Sequence, residues 1–352
     1  MMIRLLIITL LKEWQECPYF NLMFRVGIDN YGLFPLNLSP LQTMQWALDH
    51  GAEGVAFSGL DDLTHAHFDC KQVLKLKDFA EGNNLYLEWG GAQHIPRNLT
   101  TWEKKDLFNH NRIAAEEAQA LGARIIRSCS GGLMRWNPAS LPTRQLLDEM
   151  AEALLAQKQM LMDHNVILAI ETHFEFTTFE LIRVFEACDA KPGEWLGICL
   201  DTMNLLTMLE DPVLATERIL PWVVSTHIKD GGIQVTDSGF KSFTAPFGEG
   251  IVDFERIFGL IGTLPWDINL NVEDHGGDFD IPIFNPEFRK EFPDLTDEEL
   301  NRLIELSLET SVKMKEGLLC ILNRSDWPVM CDTRIKEDLE KLTAKNKQLG
   351  FH

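Results

Sequence analysis

The stretch "NVILAIET", residues 165–172, decides the fold: the apolar residues Val166 to Ile170 run without interruption and stop at Glu171. A strand with one wet face alternates apolar and polar residues, whereas an unbroken run marks a strand buried on both faces, as in a parallel sheet covered by helices. Similar runs occur at "FRVGID" (24–29), "EGVAFSG" (53–59), "NLYLEW" (84–89) and "ARIIRSC" (123–129). Three more are "LGICLD" (196–201), "WVVSTHIK" (222–229) and "DINLNVE" (267–273). Between the runs, residues such as Leu146, Met150 and Leu154, beside Leu147, Ala151 and Leu155, repeat at the spacing of a buried helix face. Run starts lie roughly 27 to 45 residues apart, room for a strand, a helix and two loops. Eight such units predict a closed (β/α)8 TIM barrel. An open doubly wound sheet is the alternative, but "GIDNYG" after the first run is a poor phosphate loop.

The chain has 352 residues, 45% of them apolar, enough for one large barrel or two ordinary domains. No low-complexity linker divides it, so one domain is expected. Its formal net charge of −21 opposes nucleic acid and anionic membranes as partners. The seven cysteines are scattered without a CxxC pair, which fits a reducing, cytoplasmic setting. Residues 1–23 read as an extension ahead of the barrel; the short apolar run in "MMIRLLIITLLKEWQ" has no small-residue cleavage site and cannot span a bilayer. The barrel is expected over 24–322. Its last helix is placed in "LTDEELNRLIELSLETSVKMKEGLLCIL", where Thr296 and Glu299 have capping-box spacing and Leu300, Ile304, Leu308 and Val312 share a face. "GGDFDIPIFNPEFRKEFPD" precedes it as an insertion. Residues 323–352 form a C-terminal helical tail, polar in "IKEDLEKLTAKNKQLGFH", that wraps the barrel or meets a second subunit, and a homo-oligomer is expected.

In a parallel barrel, reactive groups sit at the C-terminal strand ends. The last four runs end in "AIETH", "CLDTMN", "STHIKD" and "NVEDHGG", so Glu171, Asp201, His227 and Glu273 converge at one mouth. Three carboxylates packed together repel one another, and a divalent cation both compensates them and fixes their geometry. Oxygen donors with one nitrogen and no thiolate suit one divalent ion: Mn²⁺ is expected, with Mg²⁺, Co²⁺ or Zn²⁺ as alternatives.

The motifs "IETH", "GICLDTMNLLTMLEDP", "STHIKD", "FGEGIVDF" and "LNVED" make residues 24–320 resemble the xylose isomerase-like TIM barrels, which include sugar phosphate isomerases and epimerases. The resemblance implies that Glu171, Asp201, His227 and Glu273 hold one divalent metal. It also implies a carbohydrate substrate that loses a proton next to its carbonyl, passes through an enediolate and regains the proton elsewhere, with Glu171 and Glu273 as the proton-transfer pair. Metal-dependent lyases on the same scaffold, which dehydrate inosose-like sugars or cleave 3-keto glycosides, share the enolate step and are the alternative; a barrel that only binds is the third reading. The DNA-cutting endonuclease IV branch needs several metals and a surface compatible with DNA, which the single quartet and negative charge oppose.

Residues two apart on a strand face one way. His173 therefore accompanies Glu171 as an acid/base or substrate-binding candidate, and Lys229 accompanies His227, either to neutralise an enediolate oxygen or to pair with an acid such as Asp230. Trp89 offers an apolar face to a sugar or packs under a loop, and Arg127 binds an anion or pairs with an acid. Asn204 stands where several ketose 3-epimerases carry a histidine. His275, before Gly276 and Gly277, reads as a loop histidine, and "THAH" (His65, His67) marks a second metal only where further ligands converge.

Overall fold

The computed structural model describes residues 24–57, 70–129 and 131–350; the extension 1–23 and the pair His65 and His67 lie outside them. Eight parallel strands close into a barrel. They are β1 (Arg25–Asp29), β2 (Gly54–Phe57), β3 (Tyr86–Ala92), β4 (Ile125–Ser128), β5 (Ile167–Glu171), β6 (Leu196–Asp201), β7 (Val223–Ile228) and β10 (Asn269–Val272). Each coincides with one of the eight apolar runs. Strands β5 to β7 are buried at every position, which is why their sequences do not alternate. Closure comes from β1 pairing in parallel with both β2 and β10.

Three further strands leave the barrel: β8 (Asp230–Val235), β9 (Phe240–Ala245) and β11 (Asp278–Ile281) form a small antiparallel sheet in the order β11-β9-β8. The sheet follows directly on β7, and its root is Asp230, the last residue of "STHIKD". Its two carboxylate oxygens accept from the backbone N–H groups of Gly231, Gly248, Gly250 and Val252. A Cβ on Gly250 would collide with that carboxylate, so the glycine of "FGEGIVDF" is where the loop must pass closest. Asp230 is thereby committed to the backbone and is not the partner of Lys229.

The helix expected to complete the barrel lies elsewhere. Asp297–Lys315 carries the predicted capping box but packs on the small sheet, where Leu303 and Leu306 join Ile233, Phe240, Ile281, Phe288 and Phe292 in a separate apolar cluster. The place over β10 and β1 is taken by the C-terminal helix Trp327–Leu349, whose Trp327, Cys331, Ile335, Leu339 and Leu342 belong to the barrel core. Of the two fates expected for that segment, the structure shows it wrapping the barrel. Ile335 packs so close to Gly32 that a Cβ there would stand 2.6 Å from it, and the Trp327 indole donates to the Gly32 carbonyl at 3.0 Å. Asn346 brackets Phe24, accepting from its N–H at 3.3 Å and donating to its carbonyl at 2.7 Å. No helix of the described residues is long and apolar enough to cross a membrane.

Candidate metal centre and active site

Glu171 ends β5, Asp201 ends β6, His227 lies one residue before the end of β7, and Glu273 follows β10 directly. Asp201 and His227 are register partners across the β6–β7 pair, so the sheet sets them side by side. One donor atom from each of the four residues lies within 4.8 Å of the other three. None of the four is more than 5% exposed, so their charges cannot rely on water for compensation.

Both His227 ring nitrogens are buried without a hydrogen bond among the described residues, and Asp201 Oδ2 and Glu273 Oε2 share the buried Lys229 ammonium. His227 Nδ1 faces the carboxylates, 3.2 Å from Glu273 Oε2 and 3.5 Å from Glu171 Oε1, while Nε2 lies 3.3 Å from Asp29 Oδ2. A proton on Nε2 directed at Asp29 would leave the Nδ1 lone pair pointing among the acids, the usual way a carboxylate orients a ligating imidazole. Buried carboxylate oxygens facing an imidazole nitrogen fit a hard or borderline divalent cation, and Zn²⁺ as well.

Two cations flank the quartet. Lys229 Nζ lies 2.8 Å from Asp201 Oδ2 and 2.9 Å from Glu273 Oε2. Burial works against the ammonium, but Asp201 and Glu273 outweigh it and keep Lys229 charged far above neutral pH. For Asp201, burial wins over Lys229 and lifts the carboxyl to about 6. On the other side Arg127 forms a buried ion pair with Glu171. Burial opposes ionisation there too, but Arg127 and then His227 bring Glu171 down to about 2. The Arg127 guanidinium therefore has an acid partner, and that partner is a member of the quartet.

The mouth opens into a cavity of about 580 Å³ whose wall includes Arg127, Glu171, His173, Lys229, Glu273 and His275. His173 Nδ1 is 2.9 Å from Glu175 Oε2. Cys129, Glu171 and His173 make a second set of donors within 4.8 Å, although Glu175 already engages His173. His275 is in a loop, as its glycines suggest, yet the loop turns it into the cavity. Its Nδ1 is 2.7 Å from the Gly276 carbonyl and its Nε2 is 3.3 Å from Lys229 Nζ. Burial, then Lys229, lowers His275 to about 4, so it is a neutral acceptor beside the ammonium.

Two expected substrate contacts lie away from the cavity. Trp89 is fully buried, its indole donating to Glu117 Oε2 at 3.0 Å and its ring set edge-on to Phe57. The cause is the period-two alternation of β3: Glu88 points inward to Ser225, Asn269 and Asn271, so Trp89 points outward to the helices. Asn204 is buried behind Asp201, to whose Oδ1 its backbone N–H donates at 2.9 Å, and its carboxamide makes no hydrogen bond among the described residues.

Asp29 is the residue the sequence reading lacks. "FRVGID" ends in a charge at a strand end, the same signal that singles out the quartet. Glu175 had no such signal because it lies in a loop, and Cys129, which ends "ARIIRSC", is not a charged residue. Asp274 is likewise recruited by the fold: its Oδ1 accepts from the N–H groups of His275 and Gly276, and its Oδ2 lies 2.8 Å from Arg334 of the C-terminal helix. That ion pair ties the helix to the loop directly after Glu273.

Residues 44–306 match the sequence model of the xylose isomerase-like TIM barrels, and the chain belongs to that family. A 3-oxo-isoapionate decarboxylase of Pectobacterium atrosepticum is 30% identical over 209 residues, which cover 57% of this chain and 66% of that protein, just under two thirds of its length. Among solved structures, the D-psicose 3-epimerase of Clostridium cellulolyticum with D-tagatose superposes with a TM-score of 0.55 at 13% identity, covering 84% of this chain and 100% of that one. The IolI protein with a bound zinc atom gives 0.52 at 14% identity, covering 81% and 97%. At 13–14% identity these two structures share the fold of this chain.

Proposed function

We propose that this protein is a divalent-metal-dependent isomerase or epimerase of a sugar or related polyol, acting through an enediolate. The observation that carries this reading is the quartet itself: four buried residues at consecutive barrel strand ends, with one donor atom from each within 4.8 Å of the others. Glu171, Asp201, His227 and Glu273 would hold the metal, which when bound polarises a carbonyl as a Lewis acid. The protein's own groups supply the rest. Glu171 and Glu273, at the first and last of the four strand ends, would take and return the proton. Lys229 puts a lasting positive charge where an enediolate oxygen gathers negative charge. His173, held by Glu175, presents a ring edge that orients a hydroxyl group, and His275, set between the Gly276 carbonyl and Lys229, steadies the ammonium. Phe174 and Phe279, with ring centroids 4.4 Å apart, add an apolar wall.

A lyase reading is favoured by a separate observation: both expected proton carriers are held by cations, Glu171 by Arg127 and Glu273 by Lys229. Decarboxylation of a 3-oxo acid, the reaction named for the curated relative, needs a stabilised enolate but no base to remove a carbon-bound proton. Metal-supplemented reactions in deuterium oxide with ketoses, inososes and 3-oxo sugar acids separate the two. Isomerisation incorporates deuterium and keeps every carbon and oxygen; lyase activity releases carbon dioxide or water. Failure of every substrate class to exchange or react would overturn the enolate reading as a whole.

A further inference from the structure

The helix Asp297–Lys315 has two apolar faces. Its inner face is fully engaged: Leu303 and Leu306 cover the small sheet, while Ser307 Oγ and Thr310 Oγ1 accept from the N–H groups of Val235 and Ile233, at 2.8 and 3.2 Å, along the edge of β8. The outer face carries Leu300, half-buried, followed by Ile304, Leu308 and Val312, which are 37%, 64% and 55% exposed. Exposed Leu318 lies just beyond the helix, and exposed Val235 at its edge. Among the described residues Leu300 packs against the inner cluster, while Ile304, Leu308 and Val312 stay open to solvent. Residues spaced by four form the row that interlocks when two helices pack, and a contiguous apolar stripe with no role in its own fold marks an interaction surface.

The charges around the ridge point to its occupant. Asp297 and Lys315 are about five turns apart at 3.6 residues per turn, so they lie on the same line of the helix, which passes between Ile304 and Leu308. Reversing the helix about its middle exchanges Ile304 with Leu308, Leu300 with Val312, and Asp297 with Lys315. Apolar positions then meet apolar ones, and an acid meets a base at each end. Glu299 is buried against Arg218 and Lys313 reaches the Gly250 carbonyl of its own chain, so exposed Asp297 and Lys315 are the opposite charges that an antiparallel copy brings together at each end. A self-complementary patch of this kind is what a two-fold dimer interface requires.

We propose that this ridge is the interface of a homodimer, in which two copies of the helix pack antiparallel about a two-fold axis near residue 306. Sedimentation of the full chain tests it, comparing the wild type with Leu308→Glu, Asp297→Lys, Lys315→Asp and the double reversal. Leu308, Asp297 and Lys315 are all exposed, and circular dichroism with thermal melting checks that each variant is folded. The wild type is expected to sediment as a dimer and Leu308→Glu as a monomer. Each single reversal sets like charges against each other and raises the dimer Kd by about tenfold, and the double reversal restores it. A wild-type monomer at tens of micromolar, a dimer indifferent to Leu308→Glu, or a double reversal no tighter than the single ones overturns the proposal.

Discussion

Replacing Lys229 by Met keeps the side chain's length and removes its charge. Nζ lies 2.8 Å from Asp201 Oδ2 and 2.9 Å from Glu273 Oε2. At an effective dielectric constant of about 20, one such pair is worth ~6 kcal/mol before desolvation. Much of that offsets the burial of the ammonium, and removing one member of a buried pair costs about 3–5 kcal/mol in practice. A chain of this size loses roughly 2 °C of melting temperature per kcal/mol, so metal-free Lys229→Met should melt about 6–10 °C below metal-free wild type. Saturating Mn²⁺ supplies the missing positive charge, so the gap should narrow and the metal-induced shift should be larger in the variant than in the wild type. The assay is differential scanning calorimetry of chelator-stripped protein with and without Mn²⁺. A metal-free variant within about 2 °C of wild type, or a gap that metal leaves unchanged, would refute the assignment of Lys229 as the counter-charge of the site.

Asp29→Asn removes the carboxylate 3.3 Å from His227 Nε2 and should weaken metal binding about 10–100-fold without unfolding the barrel, measured by calorimetric titration. Arg334→Ala leaves Asp274 and Asp338 as buried acids without their guanidinium and should cost about 3–5 kcal/mol in urea denaturation; Arg334→Lys should recover part of it, and an unchanged midpoint would show that the helix is held by its apolar face alone. The Arg97–Glu149 pair predicts a pH dependence. Hydrogen bonding to Arg97 holds Glu149 at about 2, below its ordinary 4.5. A folded-state pKa lowered in this way stabilises the fold above about 4.5 and loses that contribution as pH falls towards 2. The stability difference between wild type and Arg97→Gln should therefore be flat above pH 5 and shrink below it; a constant difference down to pH 3 would contradict the pairing.

The barrel was legible because burial on both faces leaves an unbroken apolar run, and the quartet because a charge ending such a run has no place in a core. Applied to "FRVGID", the same rule reaches Asp29. Trp89 was misplaced for a physical reason: whether a strand residue points into the barrel or out to the helices depends on register, which Glu88 reveals only once Ser225, Asn269 and Asn271 are seen across from it. The hairpin of β8 and β9 left a signal in "TDSG" between "IQV" and "FKSF", a turn cluster flanked by strand-forming residues. The two long helices exchanged roles because each has an apolar stripe, and periodicity alone does not say which stripe meets the barrel. Trp327, Ile335 and Leu339 meet it; Ile304, Leu308 and Val312 face solvent. His275 shows the limit of strand logic, since a loop beyond the strand end carries it into the cavity.

The most direct test of the metal centre is a binding stoichiometry. Chelator-stripped protein, titrated with Mn²⁺, Co²⁺ and Zn²⁺ and checked by elemental analysis after gel filtration, should retain one divalent ion per chain. Asp201→Asn, His227→Ala and Glu273→Gln, each confirmed to be folded, should retain none at the same free-metal concentration. A wild-type chain that takes up no divalent ion, or variants that bind it as tightly as the wild type, would contradict the assignment of Glu171, Asp201, His227 and Glu273 as a metal centre.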